Sequence, residues 1–329
     1  MCKLSRSLVL LAVFTLVCGG MSTAWAAPKY TIKVGYESHP GEAIDLEVRY
    51  WAKLVDERSN GTVKLEPYPS SQLGSKLEVI EQGTMGANVC VLADPGFLGE
   101  YVPDLTILSG PYFAEWDKLF KLIRTDWFKE QEAKLYEKGL LGLSYNWMLG
   151  SRNLVANKPV LKPEDFKGLK IRVPSAKIQI EAFKAMGATP TPMPLSEVYT
   201  ALTQGVIDGA ENPTNVLYGQ KHFEAAPNLM LIESVNMLSC WMIGRAYAEK
   251  LPQDVLQMLK ETCDEAGEYS KKLVPELDDK AAKQIEEAGA KVFAVDKELF
   301  REAARPTYDK FPEWTPNLYN DLQKLMESL

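Results

Sequence analysis

The order of the apolar segments constrains the fold of this 329-residue chain more than any other feature. Between residues 30 and 93, the apolar strand-like segments "YTIKVGYE", "TVKLEPYP" and "ANVCVLA" alternate with two segments that have apolar residues at helical spacing. The alternation restarts at "KGLKIRV" and "SAKIQIEAFKAMG". Strands that alternate with helices are typical of a doubly wound α/β sheet, so the pattern predicts two α/β units in series, followed by helices.

The two units are expected to form two lobes that exchange segments, because no Gly/Ser-rich linker separates them. We predict that lobe I contains residues 27–149 plus about 238–277, and that lobe II contains residues 150–237 plus about 278–329. Open α/β sheets bind ligands in a crevice at the carboxyl ends of their strands. A cleft between the lobes is therefore the predicted binding site.

The N-terminus has the three parts of a secretory signal. Lys3 and Arg6 precede the apolar run "LVLLAVFTLVC", and the small-x-small sequence "AWA" ends at Ala26. The run is shorter than the roughly 20 residues that a membrane-spanning helix needs. We expect residues 1–26 to be a signal peptide, cleaved near Ala26, and the mature protein to lie in the periplasm. A lipoprotein site at Cys18 is disfavoured because the larger Val17 precedes it.

Composition excludes several function classes. Removal of Lys3 and Arg6 changes the net charge from −7 to −9, and an acidic chain lacks the basic surface that nucleic acid requires. The two histidines and the cysteines that follow the signal (Cys90, Cys240 and Cys263) lack the close spacing of metal ligands. No glycine-rich phosphate loop or Gly-x-Ser-x-Gly motif occurs. We expect no metal and no cofactor, and a Cys240–Cys263 disulfide remains open.

Four sequence blocks, in the same order, carry a resemblance to a known family. They are "YPSSQLG", "PGFLGEYVPDL", "KPEDFKGLKIRVP" and "MGATPTPMPLSEVYTALTQGVIDGAENP". The mature chain resembles the solute-binding subunits of tripartite ATP-independent periplasmic (TRAP) transporters, of the dicarboxylate-binding type. The resemblance implies a two-lobed periplasmic-binding-protein fold with long C-terminal helices. It also implies a monomer without enzymatic activity that captures an organic acid and delivers it to TRAP membrane permease subunits.

The resemblance also assigns roles to three side chains. Arg172 in "KIRVP" matches the arginine that binds the ligand carboxylate, Arg152 in "GSRN" fits a second arginine of the cleft, and Asn212 in "DGAENP" fits an asparagine beside it. A guanidinium suits this role because its planar donors hold a carboxylate at two points. Alternation in "LKIRV" alone would instead predict a solvent-exposed Arg172.

One position departs from the family pattern. An aromatic residue often precedes "SEVY" in the family and stacks in the cleft, whereas this chain has Leu195. Trp147 and Trp241 are alternative aromatic candidates for the cleft, although such residues lie more often in the core. We include Leu195 and Trp147 among the candidate ligand-binding residues.

Three polar residues follow strands of lobe I. Glu37 and His39 come at the end of the first strand, and Asp94 follows "ANVCVLA". Carboxylates at strand ends are positioned to meet an ammonium or hydroxyl group of a ligand. Two other functions remain open. One is a secreted enzyme, such as a lyase with Asp94 or Glu37 as base, and the other is a ligand sensor for a receptor.

The class of acid is the least constrained feature. Two arginines suit a dicarboxylate, or a monocarboxylate with a keto or hydroxyl group next to it. Trp147, Met148, Met193 and Leu195 are poor partners for sugar hydroxyls, which need hydrogen bonds when buried. The prediction is a less hydroxylated acid with an apolar or aromatic tail and an amino group facing Glu37 or Asp94, and a sugar acid is the alternative.

Overall fold

The computed structural model describes residues 27–329. The predicted signal peptide and its cleavage near Ala26 lie outside these residues. The strands are β1 (Tyr30–Gly35), β2 (Val63–Tyr68), β3 (Val89–Ala93), β4 (Leu140–Ala156), β5 (Lys170–Val173), β6 (Thr189–Pro192), β7 (Gly209–Pro213), β8 (Asn228–Leu231), β9 (Asn236–Gly244) and β10 (Lys291–Ala294). The alternation predicted from the sequence is confirmed as a mixed α/β sheet.

Helices cover both faces of this sheet. They are α1 (Ala43–Ser59), α2 (Lys76–Thr84), α3 (Pro95–Leu98), α4 (Trp116–Leu122), α5 (Asp126–Glu137), α6 (Lys177–Ala185), α7 (Val198–Thr203), α8 (Thr214–Gly219), α9 (His222–Ala225), α10 (Arg245–Ala248), α11 (Gln253–Glu287), α12 (Lys297–Ala304) and α13 (Leu318–Glu327). None of the helices between residues 27 and 329 combines the length and the apolar character that crossing a bilayer requires.

The strand order is β2-β1-β3-β9-β4-β7-β5-β6, and β8 joins β4 to β10. Strands β1, β2 and β3 are parallel to one another, as are β5, β6 and β7, whereas β4 and β9 are antiparallel to their neighbours. The first part of β4 pairs with β9 and its last part, from Arg152, pairs with β7. We call the side with β1, β2, β3 and β9 lobe I, and the side with β5, β6, β7, β8 and β10 lobe II.

The strand β4 and the helix α11 connect the lobes. Helix α11 is 35 residues long, continues through Pro275, and packs against β4, against α1 of lobe I and against α8 of lobe II. At 1.5 Å per residue it extends about 50 Å. Both lobes are thus attached to two common elements, in agreement with the predicted absence of a flexible linker.

The C-terminal residues pack against both lobes. Phe300 on α12 packs with the lobe II core, as predicted. Tyr308, Trp314 and Leu322 pack instead with the apolar core of lobe I, and the Trp314 indole donates to the Pro103 carbonyl at 2.9 Å. The last part of the chain therefore contacts both lobes, because its apolar side chains pack on the lobe I core while residues 305–309 also contact α6 of lobe II.

The three cysteines among residues 27–329 are buried and free. Cys90 and Cys240 lie on the neighbouring strands β3 and β9, and Cys263 lies on α11. The bridge between Cys240 and Cys263 that the sequence left open is not formed.

Candidate ligand-binding site

A cavity of about 700 Å³, partly open to solvent, lies between the lobes at the carboxyl ends of β1, β3, β5 and β6. This is the predicted position for the ligand cleft of an open α/β sheet. Its lining comes from both lobes. The residues are Glu37, Ser38, Ser75, Lys76, Leu77, Leu92, Asp94, Phe97, Leu149, Arg152, Arg172, Pro174, Ser175, Met193, Pro194, Leu195, Asn212, Val216 and Met237.

Arg172, near the end of β5, is buried in the wall of this cavity and only 3% exposed. Its Nε and Nη2 both donate to the carbonyl of Met193, at 3.0 and 2.8 Å. Among residues 27–329, no carboxylate forms an ion pair with it. Burial, with the neighbouring charge of Arg152, lowers the pKa of Arg172 to about 10. The side chain is thus a buried cation that forms no ion pair within the described part of the chain.

The alternation in "LKIRV" therefore misleads at this residue. Lys170 is exposed as the alternation predicts, but Ile171, Arg172 and Val173 are all buried. Strand β5 lies between β6 and β7, and the face that would meet solvent in an isolated sheet faces the cavity here. The position that the family resemblance assigned to Arg172 is the one that the structure has.

Arg152, by contrast, already has a carboxylate partner. It is 2% exposed and forms an ion pair with Glu211, in which Nε contacts Oε2 and Nη2 donates to Oε1 at 2.6 Å. Burial raises the pKa of Glu211, and the charge and hydrogen bonds of Arg152 oppose that rise. Glu211 was missed in the sequence, although it directly precedes Asn212 in "DGAENP". This pair places a neutralised arginine beside the unneutralised one.

Asn212 supplies a further hydrogen-bond donor to the same end of the cavity. It lies on β7, next to Asn153 of β4 in register, and is 5% exposed. Its Nδ2 has no hydrogen-bond partner among the described residues. We call Arg152, Arg172, Glu211 and Asn212 the arginine end of the cavity. It offers two kinds of unused donor, a guanidinium and an amide, which suit a carboxylate.

The lobe I side of the cavity carries three charged side chains that contact one another. Lys76, at the first residue of α2, is 8% exposed and donates to Asp94 Oδ2 at 2.8 Å. Its Nζ also lies 3.3 Å from Glu37 Oε2, and 4.7 Å from the centre of the Phe97 ring. Burial disfavours the charge on Lys76, but Asp94 and Glu37 outweigh that effect and raise its pKa. We call Glu37, Lys76 and Asp94 the lysine end.

Lys76 was not found by reasoning from the sequence. A lysine at the start of a helix usually extends into solvent, and Glu37 and Asp94 are 39 and 18 residues away from it. The usable signal was its position two residues after the block "YPSSQLG", which carries part of the family resemblance. Glu37 and Asp94 themselves line the cavity, as predicted.

The structure contradicts the placement of Trp147 in the cleft. Its ring is fully buried beneath α11, where Nε1 donates to the Cys263 carbonyl at 2.8 Å. The rings of Trp51 and Trp241 lie 6.0 and 5.2 Å away. The three indoles form an aromatic core between the sheet and its helices, so neither Trp147 nor Trp241 lines the cavity. Leu195, which occupies the position where the family often has an aromatic residue, does line it.

The prediction for His39 is also wrong. Its side chain is exposed, and its Nδ1 lies 2.7 Å from Ser70 Oγ in the loop after β2. The preceding Ser38 lines the cavity, whereas His39 borders a separate groove with Glu42 and Lys280. The chain turns away from the cavity after Ser38, which directs the imidazole to the outside.

Comparison with known proteins identifies the family to which this architecture and cavity belong. The sequence model of the bacterial extracellular solute-binding proteins, family 7, matches residues 34–313, which include every residue of both ends of the cavity. The chain belongs to this family.

Solved structures of relatives agree over nearly the whole chain. A TRAP periplasmic solute-binding protein from Ochrobacterium anthropi, with bound L-fuconate, is 46% identical and covers 90% of this chain and 99% of its own, with a TM-score of 0.89. The corresponding protein from Actinobacillus succinogenes, with bound L-galactonate, is 38% identical, covers 91% and 100%, and also has a TM-score of 0.89.

A curated relative has a different specificity. The C4-dicarboxylate-binding periplasmic protein DctP of Rhodobacter capsulatus is 32% identical over 79% of this chain and 80% of its own. Together the matches show that this chain is the solute-binding subunit of a TRAP transporter. Such subunits bind small organic ligands, here an organic acid, and work with membrane permease subunits.

Proposed function

We propose that this protein binds its acid by pairing the ligand carboxylate with Arg172 and releases it unchanged to the permease. The observation that carries this proposal is the buried guanidinium of Arg172, which has no acidic partner among residues 27–329. A buried charge without a partner is strongly unfavourable, and a bound carboxylate removes this penalty.

The neighbouring groups favour the same anion. Two of the five N–H donors of Arg172 are occupied by the Met193 carbonyl, which leaves Nη1 and the second N–H of Nη2 for the ligand. Asn212 contributes its free Nδ2. Glu211 neutralises Arg152, so one ligand carboxylate matches the one uncompensated charge of this end. The arginine end thus needs a single carboxylate, although the presence of two arginines suggested a second.

The ligand belongs to the sugar acids of the aldonate type. The two relatives at 46% and 38% identity hold L-fuconate and L-galactonate. The expected apolar tail rested partly on Trp147 and Met148, but Trp147 lies in the aromatic core and Met148 packs with Ala43 and Val274. Met193 and Leu195 form only part of a wall that also holds Ser38, Ser75 and Ser175.

Capture follows from closure of the lobes. The arginine end belongs to β4 and lobe II, and the lysine end belongs to lobe I. A ligand that contacts both ends is bound more tightly by the closed arrangement, and this difference in affinity drives closure. We further propose that the mature chain begins near residue 27, acts as a monomer in the periplasm and catalyses no reaction. Intact mass of the secreted protein and light scattering check the first two points.

The decisive experiment measures L-fuconate and L-galactonate binding by calorimetry for the wild type, Arg172→Ala and Arg172→Lys. Removal of one partner from a buried charge pair costs about 2–5 kcal/mol of affinity, and lysine recovers only part because it lacks the planar fork. Arg124→Ala, a surface arginine beside Glu268, is the matched control and keeps wild-type affinity. Wild-type affinity in Arg172→Ala contradicts the proposal, and loss of intact ligand during incubation contradicts binding without catalysis.

A further inference from the structure

The lysine end has a charge balance that is unusual for a site in an anion-binding protein. Lys76 is shared by two carboxylates, so the three side chains carry a net charge of −1 when all are ionised. The Lys76 ammonium is held in place by Asp94, Glu37 and the Phe97 ring. These three side chains do not use all of their hydrogen-bonding positions on one another. Glu37 Oε1, Asp94 Oδ1 and the third N–H of Lys76 have no hydrogen-bond partner among the described residues.

The free positions are of two kinds, acceptors on the carboxylates and a donor on the ammonium. Glu37 Oε1 accepts a hydrogen bond, and the ammonium of Lys76 donates one. A hydroxyl group satisfies both, because it donates and accepts at the same oxygen. A carboxylate accepts from Lys76 but meets the charges of Glu37 and Asp94. An ammonium donates to Glu37 but adds a second cation beside Lys76.

We infer that Glu37, Lys76 and Asp94 form a hydroxyl-recognition site that selects the tail of the bound acid and rejects a second carboxylate. This inference rests on the proposed function, in which Arg172 holds the first carboxylate. Glu37 and Arg172 line the same cavity, so a ligand that fills it contacts both ends. The site therefore separates aldonates from the dicarboxylates that some relatives bind.

The selectivity arises from charges that are fixed before the ligand enters. Lys76 and Asp94 are nearly inaccessible to solvent, so water does little to screen a second carboxylate from the acidic side chains. The positions are set by direct contacts, and the hydroxyl needs no rearrangement of them. Rejection of a like charge of this kind is the usual source of specificity between ligands that share one anchoring group.

The test compares L-galactonate with galactarate, which differs only in a second carboxylate in place of the terminal hydroxymethyl group. Wild-type protein is expected to prefer L-galactonate by at least about 100-fold, because like charges are brought together in the other complex. In Glu37→Gln/Asp94→Asn, Lys76 has no acidic partner and the preference falls by at least about 10-fold. The single variant Glu37→Gln, at a partly exposed position, is expected to change the ratio in the same direction and less.

Glu66→Gln is the matched control, because it removes one carboxylate of a surface pair with Lys64 and leaves the cavity unchanged. It is expected to keep the wild-type ratio. Unfolding curves establish that each variant is folded. An unchanged ratio in both Glu37→Gln and the double variant overturns the inference, as does tighter wild-type binding of galactarate or of 6-amino-6-deoxygalactonate than of L-galactonate.

The outcomes also separate this inference from the proposed function. If wild-type protein binds succinate or galactarate better than L-galactonate, and Arg172→Ala abolishes that binding, the lysine end does not select hydroxyl groups but Arg172 still binds the acid. If wild-type protein binds no carboxylate at all, both proposals are wrong.

Discussion

The two ends of the cavity bury positive charge in opposite ways. At the lysine end, Lys76 contacts two carboxylates of its own lobe, at 2.8 and 3.3 Å. At the arginine end, Arg172 donates only to a backbone carbonyl and forms no ion pair among residues 27–329. The cation of the first end is compensated without a ligand, whereas the cation of the second end forms no ion pair among the described residues.

This difference assigns separate tasks to the two ends. A cation without a partner contributes affinity, because a ligand anion removes an existing penalty. A compensated cluster contributes selectivity, because it offers hydrogen bonds to neutral groups and repels further charge. Arg152 belongs with Lys76 in this respect, since Glu211 compensates it although it lies at the other end of the cavity.

The largest expected effect is a difference in the free energy of unfolding between variants of the two arginines. Arg152→Met leaves Glu211 buried without its cation and lowers the free energy of unfolding by about 3–5 kcal/mol. Arg172→Met leaves no charge unpaired and causes no such loss. Urea denaturation without ligand measures both. The double variant Arg152→Met/Glu211→Met recovers most of the stability, and equal losses in the two single variants contradict the distinction.

A smaller effect separates the cavity from the aromatic core beside it. Trp147→Phe removes the donor to the Cys263 carbonyl and is expected to lower the free energy of unfolding by about 1–3 kcal/mol. Ligand affinity is expected to stay within about 3-fold of wild type, because the ring does not line the cavity. Calorimetry and urea denaturation on the same preparation test this. A large loss of affinity with unchanged stability would show that Trp147 contacts the ligand and contradict its placement in the aromatic core.

A third way to bury a charged group appears at Glu42, which accepts from Gln220 at 2.9 Å beneath the groove next to His39. Burial, with a smaller contribution from Asp45, raises the pKa of Glu42 to about 8 despite hydrogen bonds that oppose the shift. The folded protein then holds a proton that the unfolded chain loses near pH 4.5. The stabilisation is complete below that pH and is lost as the pH rises through about 8.

This shift predicts that wild-type stability falls relative to Glu42→Gln between pH 5 and 8, by at most about 1.4 kcal/mol per pH unit. Urea denaturation across this range gives the difference curve. The surface variant Glu66→Gln serves as the control and is expected to follow wild type. A difference that is constant with pH shows that Glu42 is ionised in the folded protein.

The smallest effect concerns the amide at the arginine end. Asn212→Ala removes one donor that has no internal partner, so affinity for the acid is expected to fall by about 0.5–1.5 kcal/mol with little change in stability. Titration of L-fuconate into this variant, beside Asn157→Ala as a surface asparagine control, measures the loss. Destabilisation without a change in affinity contradicts the role of Asn212 as a ligand donor.

Part of this site was predictable from the sequence, since it lay in continuous blocks. The family resemblance carried by "KIRVP" and "DGAENP" assigned Arg172 and Asn212 to the cleft, and the structure brings both residues to the cavity. Glu37 and Asp94 followed from their positions at strand ends. The predictions for Trp147 and His39 were wrong. Position along a strand does not reveal that a helix covers the face with Trp147, or that the chain turns away before His39.

The sequence by itself determined the alternation of strands and helices, because apolar periodicity reflects the immediate neighbours of each residue. It also determined which residues could bind an acid. Only the tertiary structure decided that Arg152 is paired with Glu211, that Lys76 is shared by two acids, and that Arg172 is left without one. These differences depend on contacts between side chains 18 to 59 residues apart, and no local pattern specifies which charges meet when the lobes fold together.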